Sequence, residues 1–335
     1  MYALRHNSDH VSVRITGVDL KKEVAGKFWV ESFYQVPPPE DESYVRAINR
    51  ICRRESIEVV IPQTTRETAK LSKTYEDVDA KVIVSNASAI ERANDKYALV
   101  TLCEEIGIPA PKSRLVKSAN ELLSAARELG YPQNPVVVKP PVSFGSRGFR
   151  VLRERSSWDT QRFLSQKPKA TEISLEELST ILTRDEKANF PELMVSEFLP
   201  GDEYSVDAFV GKKVFIAIPR LRKEIVNGIS FRTGLEYRKD IMENSRKLAQ
   251  ALGLRFAFGF QFKLDSEGIP KILECNPRVQ GTMAASIFSG VNVIWLAVRE
   301  VLGFPVEKLP RPLKKSEFYR YWGGLAVTGK KAIEI

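Results

Sequence analysis

In the stretch "ILECNPRVQG" an apolar run ends in Glu274, Asn276 and Arg278, polar side chains at alternate positions. Alternate residues of a strand share a face, so Glu274 and Asn276 point one way and Cys275 the other. Pro277 then stops the ladder. The longer segment "AFGFQFKLDSEGIPKILECN" reads as a hairpin around Asp265 to Gly268. Two registers fit it, Leu264 opposite Ile269 or Asp265 opposite Pro270, and both put Gln261 on the face of Glu274. One carboxylate and two amide oxygens form the all-oxygen set of a hard cation. Mg²⁺ held partly by phosphates is the usual occupant, with Mn²⁺ as the alternative. A solvated polar face on a half-exposed sheet would carry the same residue types.

A second group lies upstream. "VVVKPPVSFGSRGFRVL" ends an apolar strand in Lys139 and follows it with a loop holding Ser143, Gly145, Ser146 and Gly148. Small residues let backbone N–H groups close around phosphate oxygens, and a lysine adds a point charge. A plain hairpin loop would look similar. The loop joins two strands and lacks GxxxxGK[ST], so it is neither a P-loop nor a dinucleotide fingerprint. "SEFLPGDEYSVD" sets Glu197, Phe198 and Leu199 on a strand before a turn, with Glu203 just after it. Backbone edges there suit an adenine and Glu203 suits ribose hydroxyls, although an ordinary surface turn reads the same way. Lys96 in "NDKYAL" is a second phosphate lysine or a lysine on a helix surface.

Elements of both periods must position these groups. "HVSVRITGVDL", "IEVVIPQ" and "KVIVSN" read as strands, and "DESYVRAINRICRRES" as a helix with Val45, Ile48, Ile51 and Cys52 on one face. That alternation predicts a small βαβ lobe up to about Asn86. A lobe of this type usually opens with a strand, a Gly-rich turn and a helix. Here "ALRHNSD" reads as the end of such a helix, so the expectation is an N-terminus lacking the first strand. "SAIERANDKYALVTLCEEIGIPAPKS" predicts two helices, the second capped by Asp95. Helices are also expected at "ANELLSAARELGYP", "DIMENSRKLAQALGL" and "VNVIWLAVREVLG". Strands are expected at "PVVVKP", "GFRVL", either side of Pro200-Gly201, and at "KKVFIAIPRL". The polar stretch from about Ser156 to Asn189 reads as helices and a variable insertion.

The 335 residues suffice for two or three cores. No apolar run approaches the roughly 18 residues that cross a bilayer, and the first ten residues lack a signal-peptide stretch. Three widely spaced cysteines fit reduced thiols in a cytoplasm. The net charge of +9 invites a nucleic-acid reading. Its lysines and arginines are scattered among acids without an aromatic-basic module, so no nucleic-acid or membrane partner is expected.

Taken in order, Lys96, Lys139 with its loop, Glu197 with Glu203, then Gln261, Glu274 and Asn276 resemble the ATP-grasp superfamily, and most of all one synthetase half of the carbamoyl-phosphate synthase large subunit. The likeness covers roughly Asn86 to Leu302, with "ILECNPRVQG" as its most specific motif. It implies an ATP-grasp fold of α/β and α+β class, two subdomains clasping ATP, after a small Rossmann-like lobe. Expected domains are the lobe at 1–88, the ATP-grasp domain at 89–309 with a lid at about 130–200, and a tail at 310–335. By the resemblance, Glu274, Asn276 and Gln261 hold magnesium, and Arg278 helps hold the reacting phosphoryl group. Lys139 and Lys96 bind phosphate, Glu197 recognises adenine and Glu203 ribose. The activity implied is an ATP- and Mg²⁺-dependent ligase acting on a small carboxylate and an amine. The alternatives are carboxylate or bicarbonate phosphorylation feeding a partner protein, and an ATP-binding sensor without turnover. The pattern departs from the synthase where its bicarbonate histidine would stand: Arg220, Arg222 and Arg232 occupy that region, and the only histidines are His6 and His10. Arg222 and Arg232 hint at an anionic substrate. The aromatic tail "FYRYWGGLAVTGKK" either packs back on the core or mediates a homodimer.

Overall fold

A computed structural model of the chain describes residues 1–143, 145, 147–154, 171–184, 189–304, 306, 314–328 and 331–334. Contacts divide the chain into two units. One comprises Met1–Glu91, Tyr204–Phe260 and Cys275–Ile335, the other Arg92–Glu203 and Gln261–Glu274.

The first unit begins with α1 (Tyr2–Arg5) and strand β1 (Thr16–Asp19), which pairs in parallel with β2 (Ser32–Gln35). Helix α2 (Tyr44–Glu55) buries Tyr44, Ile48 and Cys52 at helical spacing. Strand β3 (Val59–Val60), helix α3 (Thr65–Thr74) and strand β4 (Lys81–Val82) form a βαβ unit, its strands parallel. Thr64 and Glu67 close a capping box that starts α3. Leu71, Val78 and Val82 join the α2 face in one core. The parallel pairing matches the sequence reading, but each strand pairs over only two residues. Helix α4 (Ala87–Asn94) follows.

The second unit opens with α5 (Lys96–Glu105), whose N-cap Asp95 accepts from the N–H groups of Tyr97 and Ala98. Strand β5 (Ser113–Val116), helix α6 (Ala119–Glu128), strands β6 (Val136–Lys139), β7 (Arg150–Leu152) and β8 (Glu172–Ile173), helix α7 (Leu175–Thr183) and strand β9 (Leu193–Glu197) complete it. The sheet order is β5-β9-β6-β7-β8. Val136, Val138, Leu152, Leu193 and Val195 of that sheet bury Leu122 and Ala126 of α6. Strand β9 runs antiparallel to both neighbours and occupies the sheet's interior.

The remaining strands are β10 (Glu203–Val210), β11 (Phe215–Val226), β12 (Ile229–Leu235), β13 (Phe256–Leu264), β14 (Pro270–Asn276) and β15 (Glu317–Tyr319), in the order β14-β13-β10-β11-β12-β15. Helices α8 (Lys239–Leu252) and α9 (Val293–Val301) belong to the first unit. Its second core gathers Phe209, Ile216 and Ile218 with Met283, Val293, Trp295 and Val298. In the aromatic tail β15 pairs with β12 and the Trp322 ring lies 5.1 Å from Phe231, while Tyr319, Tyr321 and Trp322 remain exposed. Strands β16 (Leu325–Thr328) and β17 (Lys331–Glu334) form a closing hairpin. Among the described residues no single helix is long and apolar enough to cross a membrane.

Candidate functional site

Strand β6 is apolar until its last residue, and Lys139 is buried with it. Lys96, the first residue of α5, is buried too. Its backbone N–H donates to the Pro141 carbonyl at 2.9 Å, and its Nζ donates to the Ser143 carbonyl at 2.9 Å. Helix start and loop start are thereby tied. The loop needs glycine at both described positions, since Gly145 and Gly148 have φ of +64° and +74°. A Cβ on Gly148 would lie 2.7 Å from Pro140 Cδ. Ser146 lies outside the described residues.

Burial pulls Lys139 down from the ordinary lysine value of 10.5 to about 8. Attraction to Glu274, and more weakly to Glu203, acts the other way, and Lys96 adds to the depression. Lys96 is also lowered by burial, against the attraction of Glu274 and Asp95. Lys96, Lys139, Glu203 and Glu274 thus form one electrostatic cluster inside the second unit.

The hairpin that carries Glu274 departs from both expected registers. The Asp265 N–H donates to the Ile269 carbonyl at 3.0 Å, which sets these two residues opposite each other. That single step would separate Gln261 from Glu274. Burial along β14 slips by one as well: Pro270 and Ile272 are buried, Leu273 and Glu274 are half-buried in succession, and Cys275 is buried. Gln261, Lys263 and Glu274 are each half-buried. In the first unit, the Arg278 guanidinium donates to Asn276 Oδ1 at 3.3 Å and to the Val279 carbonyl at 3.0 Å.

The Glu197 carboxylate is engaged by other groups of the protein. Glu197 Oε1 accepts from Lys271 Nζ at 2.6 Å and from the Lys112 N–H at 3.1 Å. Leu199 is buried, and the Arg153 guanidinium sits 5.2 Å from the Phe198 ring centre. The turn is stitched down: the Gly201 N–H donates to the Leu264 carbonyl at 3.0 Å, and the Leu264 N–H to the Asp202 carbonyl at 2.9 Å. A Cβ on Gly201 would meet Leu264 Cβ at 2.7 Å.

Two of the upstream arginines are matched by protein carboxylates. Arg220 pairs with Asp207, and Arg232 with Glu317 at 3.0 Å. Arg222 donates to Ser230 Oγ at 2.8 Å and to the Gly228 carbonyl at 2.6 Å. The hint of an anionic substrate at these arginines therefore weakens. Lys271, Asp207 and Gln280 escaped the sequence reading. A usable signal was present for two of them: Asp207 follows Glu203 at even spacing on β10, and Gln280 stands two residues beyond Arg278.

Among the described residues no three His, Cys, Asp or Glu side chains cluster as a metal cage. The donor set suits a cation only where ligand oxygens supply the rest, which is how Mg²⁺ is held on a polyphosphate.

Comparison with known proteins agrees with this architecture. Residues 95–180 match the family model for the carbamoyl-phosphate synthase L chain ATP binding domain. Residues 189–321 match the model described as ATP-grasp in the biosynthetic pathway with Ter operon. The chain is similar to ATP-grasp proteins over these two stretches. It is 28% identical over 274 residues to the carbamoyl phosphate synthase large chain of Thermus thermophilus, covering 78% of the chain and 24% of that relative. It spans about a quarter of the length of the curated relatives it matches. N5-carboxyaminoimidazole synthetase from Staphylococcus aureus, solved with ADP, superposes with a TM-score of 0.67 at 16% identity, over 91% of this chain and 74% of the other. Biotin carboxylase from Campylobacter jejuni, solved in an ATP complex, gives 0.65 at 16% identity, over 88% and 66%. These likenesses show the ATP-grasp fold.

Proposed function

We propose that this chain is an ATP- and Mg²⁺-dependent ligase that activates a small carboxylate as an acyl phosphate for attack by an amine. The observation that carries this reading is the buried pair Lys96 and Lys139, drawn toward Glu274 on the strand that also bears Asn276. Two buried ammonium groups facing limited carboxylate charge favour an added polyanion, and a triphosphate fits that need.

A carboxylate is a poor electrophile, and phosphorylation converts it into a good one. Phosphoryl transfer asks mainly for positioning and charge neutralisation. Lys96, Lys139 and the amides of the Ser143–Gly148 loop would neutralise phosphate oxygens. The Glu197–Leu199 backbone would line the adenine, and Glu203 would take ribose hydroxyls. Gln261, Glu274 and Asn276 would hold Mg²⁺, which would supply charge neutralisation to the phosphates. Arg278 would stabilise charge on the transferred group. The partners would be small molecules, and the three free, buried cysteines fit a cytoplasmic site.

Phosphate release from ATP, measured against pooled carboxylates with pooled amines, tests the reading. Turnover should appear with one pool, and Glu274→Gln, checked to be folded by circular dichroism, should lower it at least about a hundredfold. A Glu274→Gln chain as fast as the parent would overturn the metal assignment. Turnover with bicarbonate alone would instead favour the step suggested by the carbamoyl phosphate synthase relatives. Nucleotide binding without turnover in any pool would favour a sensor.

A further inference from the structure

The loop that follows β14 is held at two points by a buried polar network in the first unit. Asp207 on β10 and Arg220 on β11 are 0% and 2% exposed. Arg220 Nε donates to Asp207 Oδ2 at 2.7 Å, and one terminal nitrogen donates to Oδ1 at 2.8 Å. That nitrogen also donates to Thr282 Oγ1 at 3.1 Å, while the other reaches Thr233 Oγ1 at 3.2 Å. Gln280 Nε2 donates to Asp207 Oδ1 at 2.7 Å and to the Val206 carbonyl at 3.2 Å. Gln280 and Thr282 bracket the loop's far end, and both are buried.

The neighbouring strand is shaped for this amide. A Cβ on Gly259 of β13 would lie 2.3 to 2.5 Å from the Gln280 carboxamide atoms. Glycine in a strand interior weakens it. A buried ion pair is seldom more stabilising than apolar residues of the same volume, and its better-attested use is specificity of arrangement. Both local costs fall at one place, the seat of Gln280.

We propose that Gln280 and Asp207 are positioning residues, a clamp that fixes the loop from Pro277 to Thr282 so that Asn276 and Arg278 present their polar ends to the magnesium-bound nucleotide. This rests on the ligase reading of Glu274 and Asn276 and names what holds their loop. Arg278 donates to Asn276 Oδ1, so an error in the loop passes directly to the proposed metal ligand.

Asp207→Asn would leave Arg220 short of its counter-charge and risks the fold, so the informative changes are Gln280→Met and Gly259→Ala in the whole chain. Gln280→Met keeps bulk and loses both hydrogen bonds, while Gly259→Ala drives a methyl group into the amide. The probe is an ATP analogue with a β,γ-imido link, titrated calorimetrically in excess Mg²⁺ and again in EDTA. Both variants should lose some stability, because a buried amide or its acceptors are disturbed, yet remain folded and keep their affinity in EDTA. The gain in affinity produced by Mg²⁺ should fall about tenfold or more, the usual consequence of disturbing groups that orient metal ligands. Equal loss of affinity in EDTA and in Mg²⁺ would mark the network as merely structural and overturn the clamp. So would a Mg²⁺ gain equal to the parent's. A parent chain whose affinity ignores Mg²⁺ would remove the metal reading, and the clamp's role with it.

Discussion

Lys139 ends an apolar strand with a charge, and burial leaves it titrating near 8 where a free lysine titrates at 10.5. Below about pH 8 it is charged folded or unfolded, and the burial penalty is fully felt. Between 8 and 10.5 the unfolded chain binds the proton more tightly, so stability rises with pH over that window. A phosphate ligand needs the charged form, so nucleotide affinity should fall as pH climbs through 8. Calorimetry from pH 7 to 9.5 should show that inflection, and Lys139→Arg, charged throughout the range, should lack it. An affinity flat with pH in the parent would remove Lys139 from the phosphates. The type and order of Lys96, Lys139, Glu203 and Glu274 were legible because each stands beside a break in apolar pattern. Asp207 was not, because its meaning depends on Arg220 across a strand pair and on Gln280 far along the chain.

The elements show where pattern reading reaches and where it stops. Helices α2, α5, α6, α8 and α9 were expected from period and caps, and the Asp95 cap is as read. The register of the β13–β14 hairpin was not, because Asp265 bonds Ile269 and the alternation slips at Leu273–Glu274. A slip of burial within a strand leaves no composition signal. The lid loop gives this scale its own test. Gly107 and Gly148 both have positive φ, at +69° and +74°. Gly107 has open space around a Cβ, whereas Gly148 faces Pro140. In urea denaturation Gly107→Ala should cost about 1 kcal/mol from backbone strain alone. Gly148→Ala should cost more and should also weaken nucleotide binding. Equal costs at the two sites would mean that Pro140 yields freely.

At the scale of the whole molecule, each contact unit is assembled from spans far apart in the chain, the first from three and the second from two. Contacts between distant spans leave no periodicity to read, which is why a linear pass along the sequence sees consecutive lobes. The tail's strand pairing with β12 was one of two readings held open, since a three-residue edge strand has no pattern of its own. The cysteines now acquire a use. Cys52 sits in the α2 core, Cys103 inside α5 and Cys275 on β14, all three free and buried. Burial raises the Cys103 thiol to about 12 and that of Cys52 to a lesser extent, so alkylation must wait for each site to open. Timed alkylation read by mass spectrometry would give three separate clocks on the unaltered protein. A nucleotide tail seated beside Glu274 should slow the clock at Cys275 more than the one at Cys52.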